Sequence, residues 1–233
     1  CLNIPSVPLT ATGTNLLWYT VATGGTASIT APTPLTNTVG EVTYYVSAIN
    51  GDCESARTPI LVRTNPYPTA DAGLPVVEMF AGQELQLNGV ATGQNISIRW
   101  TPNISIIGAN SANPIVTPPL TTTYTMTVTT DRGCAASDTV RVIVYREIIA
   151  PNIFSPNGDG INDKFIIKHL EDYPDAKIEI FNRYGQFIYT TAGTNNPWDG
   201  NYQGKPLPVG TYFWILKLFK DKPPLKGSIS IIK

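Results

Sequence analysis

The chain has 233 residues, a formal net charge of −1 and a charged fraction of 14%. It holds 19 glycines, 20 prolines and 29 threonines against two methionines and one histidine, a composition that disfavours helix interiors and excludes a helical bundle. The near-neutral charge leaves no electrostatic footprint for nucleic acid or an anionic membrane. No apolar run reaches the roughly 18 to 20 residues of a membrane-spanning helix. His169 stands alone, so a two-histidine metal site is excluded and a Ser-His-Asp triad could form only around that residue. The chain opens on Cys1 without a signal-peptide pattern and reads as the tail of a longer protein.

Residues 1–147 contain a repeat. Trp18 precedes Tyr44 by 26 residues and Trp100 precedes Tyr124 by 24, while Cys53 and Cys134 follow those tyrosines by nine and ten. Each copy ends in a strand-like run, Pro59–Arg63 and Thr139–Val144. A period of about 82 residues suits tandem sandwich domains better than a solenoid. The proline-rich stretch Asn65–Thr69 is the expected linker.

Period-two alternation marks half-buried strands at Leu85/Leu87, Ile96/Ile98/Trp100, Tyr124/Met126/Val128 and Val140/Val142/Val144. Charge and composition shift near Tyr145–Ala150. Six basic and nine acidic residues precede residue 148, and ten basic and eight acidic follow it. Beyond that step Ile178/Ile180 alternate, and Tyr212, Trp214, Leu216 and Leu218 share one face of a long strand. Its other face, Phe213, Ile215, Lys217 and Phe219, is mostly apolar too, which predicts a central strand. Ile229 and Ile231 predict a last strand over Gly227–Lys233, an edge for strand addition or an ordinary closure of the sheet.

The stretch Ala150–Phe165, APNIFSPNGDGINDKF, is a dense turn signal. Asn157, Asp159, Asn162 and Asp163 place four oxygen-bearing side chains within seven residues. Hard oxygens around glycines suit Ca2+, although the EF-hand spacing is missing because Lys168 occupies the twelfth position. The alternative is an Asx-turn loop whose side chains satisfy their own backbone. No other cofactor is required.

The tryptophan and the tyrosine before a later cysteine in each repeat resemble the immunoglobulin-like family in its bacterial Ig-like or PKD-like form. That resemblance implies a Cys1–Cys53 bridge spanning Trp18, with Cys134 a free buried thiol; three reduced cysteines are the alternative. From Ile148 to Lys233 the motifs PNIFSPNGDGINDKF, IEIFNRYGQFIY and PWDGNYQGKPLPVGTYFWILKL resemble the gliding motility-associated C-terminal domain. This family is also known as the type B sorting domain of the Bacteroidetes type IX secretion system. The fold expected is all-β, three tandem sandwiches over residues 1–65, 66–147 and 148–233. The resemblance implies a non-enzymatic export and sorting tail, secreted across the outer membrane of a Gram-negative bacterium to the cell surface. Its implied partners are the type IX translocon and its shuttle or receptor proteins, and its implied parent is a gliding adhesin. A carbohydrate-binding or adhesive module acting through exposed aromatics such as Trp198 or Tyr202 is the competing reading.

Overall fold

The computed structural model describes residues 1–194 and 196–232. Lys233, the expected end of the last strand, lies outside the described residues. The fold is all-β, in sandwich form; the described residues add only the 3-10 turn Leu170–Asp172 to twenty strands. Strands β1 (Leu16–Tyr19), β2 (Gly40–Asn50), β3 (Cys53–Glu54) and β4 (Thr58–Thr64) come first. They are followed by β5 (Thr69–Asp71), β6 (Val76–Phe80), β7 (Leu85–Gln86), β8 (Val90–Thr92) and β9 (Ile96–Thr101). Next are β10 (Ile106–Ile107), β11 (Ile115–Val116), β12 (Thr122–Thr130) and β13 (Ala135–Tyr145). The remainder are β14 (Ile153–Phe154), β15 (Lys177–Phe181), β16 (Phe187–Ala192), β17 (Asn201–Tyr202), β18 (Lys205–Pro206), β19 (Gly210–Lys217) and β20 (Leu225–Ile231).

The chain divides into two compact units. One comprises Cys1–Pro75, Gln86–Val116 and Thr123–Val140; the other comprises Val76–Leu85, Thr117–Thr122 and Arg141–Lys233. Strand β6 runs parallel to residues 141–145 of β13 and falls in the second unit with them.

In the first unit β2 is flanked by β1 and β4, both antiparallel to it. Trp18 lies opposite Val46, and both are buried. Strand β12 runs antiparallel to β9, setting Trp100 opposite Met126. The predicted alternation is realised there: Trp100, Tyr124, Met126 and Val128 are wholly enclosed. The Trp100 indole N–H donates to the Ser111 carbonyl at 2.9 Å, so its burial leaves no unsatisfied donor.

In the second unit a five-stranded sheet has the order β14-β20-β19-β15-β16. As predicted, β19 is central, and Tyr212, Trp214 and Leu216 enter the core with Ile178, Ile180, Ile229 and Ile231. Only that face is covered; Phe213 on the other is 46% exposed. The last strand does not offer its end as an edge. It lies between β19, antiparallel, and β14, parallel, so the outermost strands of that sheet are β14 and β16.

The disulfide differs from the expectation. Cys1 is bonded to Cys134, and Cys53 is free and exposed. Strand geometry explains the correction. The Leu2 N–H donates to the Asn65 carbonyl, which holds Cys1 at the end of the sheet where Gly40 meets Thr64. Cys53 pairs with Asn50 at the opposite end of β2, about 30 Å away at roughly 3.4 Å per residue. Cys134 closes the turn between β12 and β13, where its carbonyl accepts the Thr130 N–H.

Non-reducing peptide mapping is expected to find Cys1 linked to Cys134 and Cys53 alkylated without prior reduction. A crosslink across 133 residues stabilises by at most about 5 kcal/mol in the chain-entropy model. Reduction is therefore expected to lower Tm, and Cys53→Ser to leave it unchanged.

Candidate functional site

The loop singled out in the sequence hangs between two buried rings. Phe154 and Phe165 are 1% and 3% exposed, so both ends are anchored in the core while Asn157–Asn162 face solvent. The Ser155 N–H donates to the Asn162 carbonyl at 2.9 Å and closes the loop. Inside it, the Asp163 carboxylate accepts the N–H groups of Asn157, Gly158 and Gly160 at 3.0, 2.7 and 2.8 Å. Asp159 accepts the Ile161 N–H at 2.7 Å and the Asn157 amide at 3.0 Å. Asn157 in turn accepts the Asp159 N–H through Oδ1 at 3.1 Å. Asn162 contributes its carbonyl and a left-handed backbone, φ 53°, a conformation asparagine tolerates better than most residues.

Three of the four proposed cation ligands, Asn157, Asp159 and Asp163, thus accept backbone N–H groups in Asx-turn fashion. Gly158 and Gly160, at φ 81° and 86°, permit the turns that aim those donors inward. The donors of Gly158 and Gly160 hold the Asp163 carboxyl below the usual carboxylate range, with Asn157 adding to the effect and partial desolvation opposing it. Among the described residues no cluster of three His, Cys, Asp or Glu side chains is placed to hold a metal ion.

A second motif packs behind the loop. Trp198 is 1% exposed, its ring centroid 5.4 Å from those of both Phe154 and Tyr212. Its indole N–H donates to the Asn201 carbonyl at 3.0 Å. Trp198 is therefore a core wedge and not a sugar platform. Gly200 completes the fit, because a β-carbon there would stand 2.9 Å from Pro156 and 3.4 Å from the Phe154 ring.

The sequence reading missed two further determinants. Gly227 faces Trp214 across the β19–β20 ladder, and an added β-carbon would stand 2.2 Å from the indole Cζ2. Its signal was a glycine interrupting a period-two strand pattern. Arg146, at the expected boundary, is locked by a bidentate bond to Asp172, Nε to Oδ2 at 2.7 Å and a terminal nitrogen to Oδ1 at 2.8 Å. The same guanidinium reaches Glu171 at 2.9 Å, and the Tyr173 hydroxyl donates to the Arg146 carbonyl at 2.7 Å. Asp172 is held below the usual carboxylate range chiefly by that guanidinium. Lone charged residues 25 and 26 positions apart give no pattern from which such a clamp could be read.

His169, the one residue around which a triad could form, directs Nδ1 to the Glu147 carbonyl at 2.7 Å. Lys222, from the basic group Lys217, Lys220, Lys222 and Lys226, lies 4.9 Å above the Phe219 ring and 5.4 Å above that of Phe80.

Residues 148–231 match the model of the CHU_C type IX secretion signal domain. This segment is a type IX secretion signal domain. Residues 4–66 match the Ig-like domain associated with CHU_C, so the order of signal domain after Ig-like domain agrees with the expectation. Both families are non-catalytic in kind. No curated protein matches the chain. Among solved structures the chain is similar to the solution structure of the PKD domain from KIAA 1837 protein, at 30% identity and TM-score 0.28. That match covers 34% of this chain and 86% of the other. The N-terminal four Ig domains of Dscam1 isoform 4.44 are 13% identical with TM-score 0.43, covering 82% of this chain and 55% of that one. The Clostridium thermocellum CbhA fibronectin(III)-like modules are 20% identical with TM-score 0.34, covering 59% and 83%.

Two outcomes follow for the signal domain. Gly227→Ala is expected to cost about 1–3 kcal/mol, the usual range for overpacking a core, measured by chemical denaturation of the full chain. Asp163→Asn is expected to lower Tm near neutral pH. Because the folded Asp163 pKa is depressed, its contribution is complete above the unfolded value of about 3.9 and is lost as pH falls through the folded value. The Tm difference between wild type and Asp163→Asn should therefore shrink below about pH 4.

Proposed function

We propose that residues 148–233 are an export and surface-sorting signal read, as a folded surface, by the type IX secretion machinery. In this reading the chain is the tail of a secreted cell-surface protein of a Gram-negative bacterium. Residues 1–65 and 66–147 act as Ig-like and PKD-like spacers, and the parent is an adhesin of the gliding type. The observation that carries the reading is the match of residues 148–231 to a secretion signal domain, in a segment whose last strand is built into the interior of its own sheet. An address made of an unfolded peptide would have to be ordered on binding and would lose affinity to that entropy. Here Ile229 and Ile231 are buried, so the terminal residues contribute by completing the module.

The Asn157–Asp163 loop serves this reading as a rigid feature of the surface. Calcium at Asn157, Asp159, Asn162 and Asp163 would compete with N–H donors that the loop already supplies. Melting curves in millimolar calcium and in chelator are accordingly expected to coincide; a calcium-dependent rise abolished by Asp159→Ala would restore the cation reading.

The test of the address uses the full chain behind a periplasmic signal peptide in a type IX-competent bacterium, with surface exposure read by protease shaving. Export is expected for the full chain and for a chain lacking residues 1–65, and loss of export for a chain lacking residues 148–233. Export that persists without residues 148–233 would show that the address lies elsewhere.

A further inference from the structure

The five-stranded sheet ends at β16, and beneath that end the core is incompletely filled. An open-mouthed cavity of about 180 Å³ lies there. Ile178 and Ile180 of β15 and Tyr189 and Thr191 of β16 line it from the sheet. Phe165 and Trp198 line it from outside the sheet, joined by a bond from the Phe165 N–H to the Trp198 carbonyl at 2.8 Å. Ile166 and Thr194, both exposed, mark the mouth. No side chain of the lining carries a charge. An apolar cavity of about 150 Å³ holds benzene, so this one has room for a phenyl or branched aliphatic group.

The strand that walls this cavity is also outermost in its sheet. The Gly193 N–H donates to the Ala176 carbonyl at 2.8 Å, and the Ile178 carbonyl, opposite Thr191, accepts the Thr190 hydroxyl at 2.9 Å. Gly193, Thr191 and Tyr189 therefore turn their backbone groups toward β15, and alternation turns those of Thr190 and Ala192 outward. Among the described residues no backbone bond reaches that outer side. Natural edge strands are commonly guarded by lysine, proline or a bulge. Phe187–Ala192, FIYTTA, has neither lysine nor proline, and its register shift lies at Phe187, before the stretch Tyr189–Ala192.

Resting on the export reading above, we infer that β16 and the cavity beneath it are the surface the machinery reads. The occupant is an uncharged extended segment of a partner protein, added along the outer side of β16, with one phenyl or branched aliphatic side chain seated in the cavity. Main-chain bonds to a sheet edge give affinity in this mode, and side chains entering pockets give specificity. Lipid does not fit, because hydrocarbon leaves outward N–H and carbonyl groups unsatisfied. A second copy does not fit either: the side chains of its β16 that share the cavity's face, Tyr189 and Thr191, already line a cavity of their own.

The probes are a capped nine-residue peptide alternating valine with threonine, its central valine replaced by phenylalanine, and the same peptide with central alanine. Each is titrated into the full chain labelled at isoleucine δ1 methyls. The phenylalanine peptide is expected to shift the Ile178 and Ile180 resonances and to bind at least about tenfold more tightly than the alanine peptide. Thr191→Leu, which fills the cavity from within, and Ala192→Pro, which removes an outward N–H from the edge, are each expected to weaken binding at least about tenfold. Absence of shifts, equal binding of the two peptides, or binding unchanged by both variants overturns the inference. So does a concentration-dependent dimer that Ala192→Pro abolishes, because the occupant of the edge would then be a second copy.

In the export assay, the full chain carrying Thr191→Leu is expected to keep or raise its Tm and to lose surface exposure at least about tenfold. Ala192→Pro, which leaves the core untouched, is expected to lose exposure likewise and serves as the test if Thr191→Leu lowers Tm. If these variants are exported normally while the chain lacking residues 148–233 is not, the β16 site is wrong and the address stands. If the chain lacking residues 148–233 is itself exported, the address reading fails first.

Discussion

Between β19 and β20 the register sets Trp214 opposite Gly227, and the indole occupies the space that a side chain at position 227 would need. The rest of the signal domain depends on this close approach. Trp214 continues into an aromatic chain: Phe165 at 6.4 Å, then Phe154, Trp198 and Tyr212 in successive contacts of 5.4 to 6.4 Å. Tyr212 returns the chain to β19, two residues from its start. Because Phe154 and Phe165 are also the two ends of the signature loop, a bulkier residue at 227 would disturb the anchoring of that loop. Close-packed interiors transmit such strain because they hold few voids to absorb it.

The entry to the domain is held as firmly as its sheet. Tyr145 stacks on Tyr173 at 5.1 Å and meets Phe219 edge-on at 5.1 Å, while Arg146 grips Asp172 through two parallel bonds. Planar guanidinium and carboxylate match in this geometry, which gives orientation as well as energy. A composition step at this point marks a domain boundary, and the backbone there is held from both ends of the 3-10 turn. The signal domain consequently begins on a fixed footing, with β14 only a few residues farther on.

The residues of the signature motifs acquire different roles once their surroundings are known. Trp198, Gly200, Phe154 and Phe165 are determinants of folding, each buried or packed against a buried ring. Ile153, Ile166, Lys164 and Lys168 contribute nothing comparable to the core and are exposed. A sequence motif mixes the two kinds of residue in a single string, and burial separates them.

Alternation and composition alone determined the fold class, the strands around Trp100, Tyr124 and Val142, the central place of β19 and the buried isoleucines of β20. These follow from the two-residue period of a strand, which is a local property of the chain. The resemblance of residues 148–233 to a sorting domain was legible for the same reason, since its motifs are contiguous. What the tertiary structure decided is pairing over distance. Cys1 bonds to Cys134 because a hydrogen bond from Leu2 to Asn65 places it at one end of β2 and Cys53 at the other. The clamp of Arg146 on Asp172, the passage of Trp214 over Gly227 and the use of Asp163 by three backbone donors are likewise facts of position. Spacing along a chain constrains the contacts within one strand or turn, whereas contacts between strands depend on a register that only the assembled sheet provides.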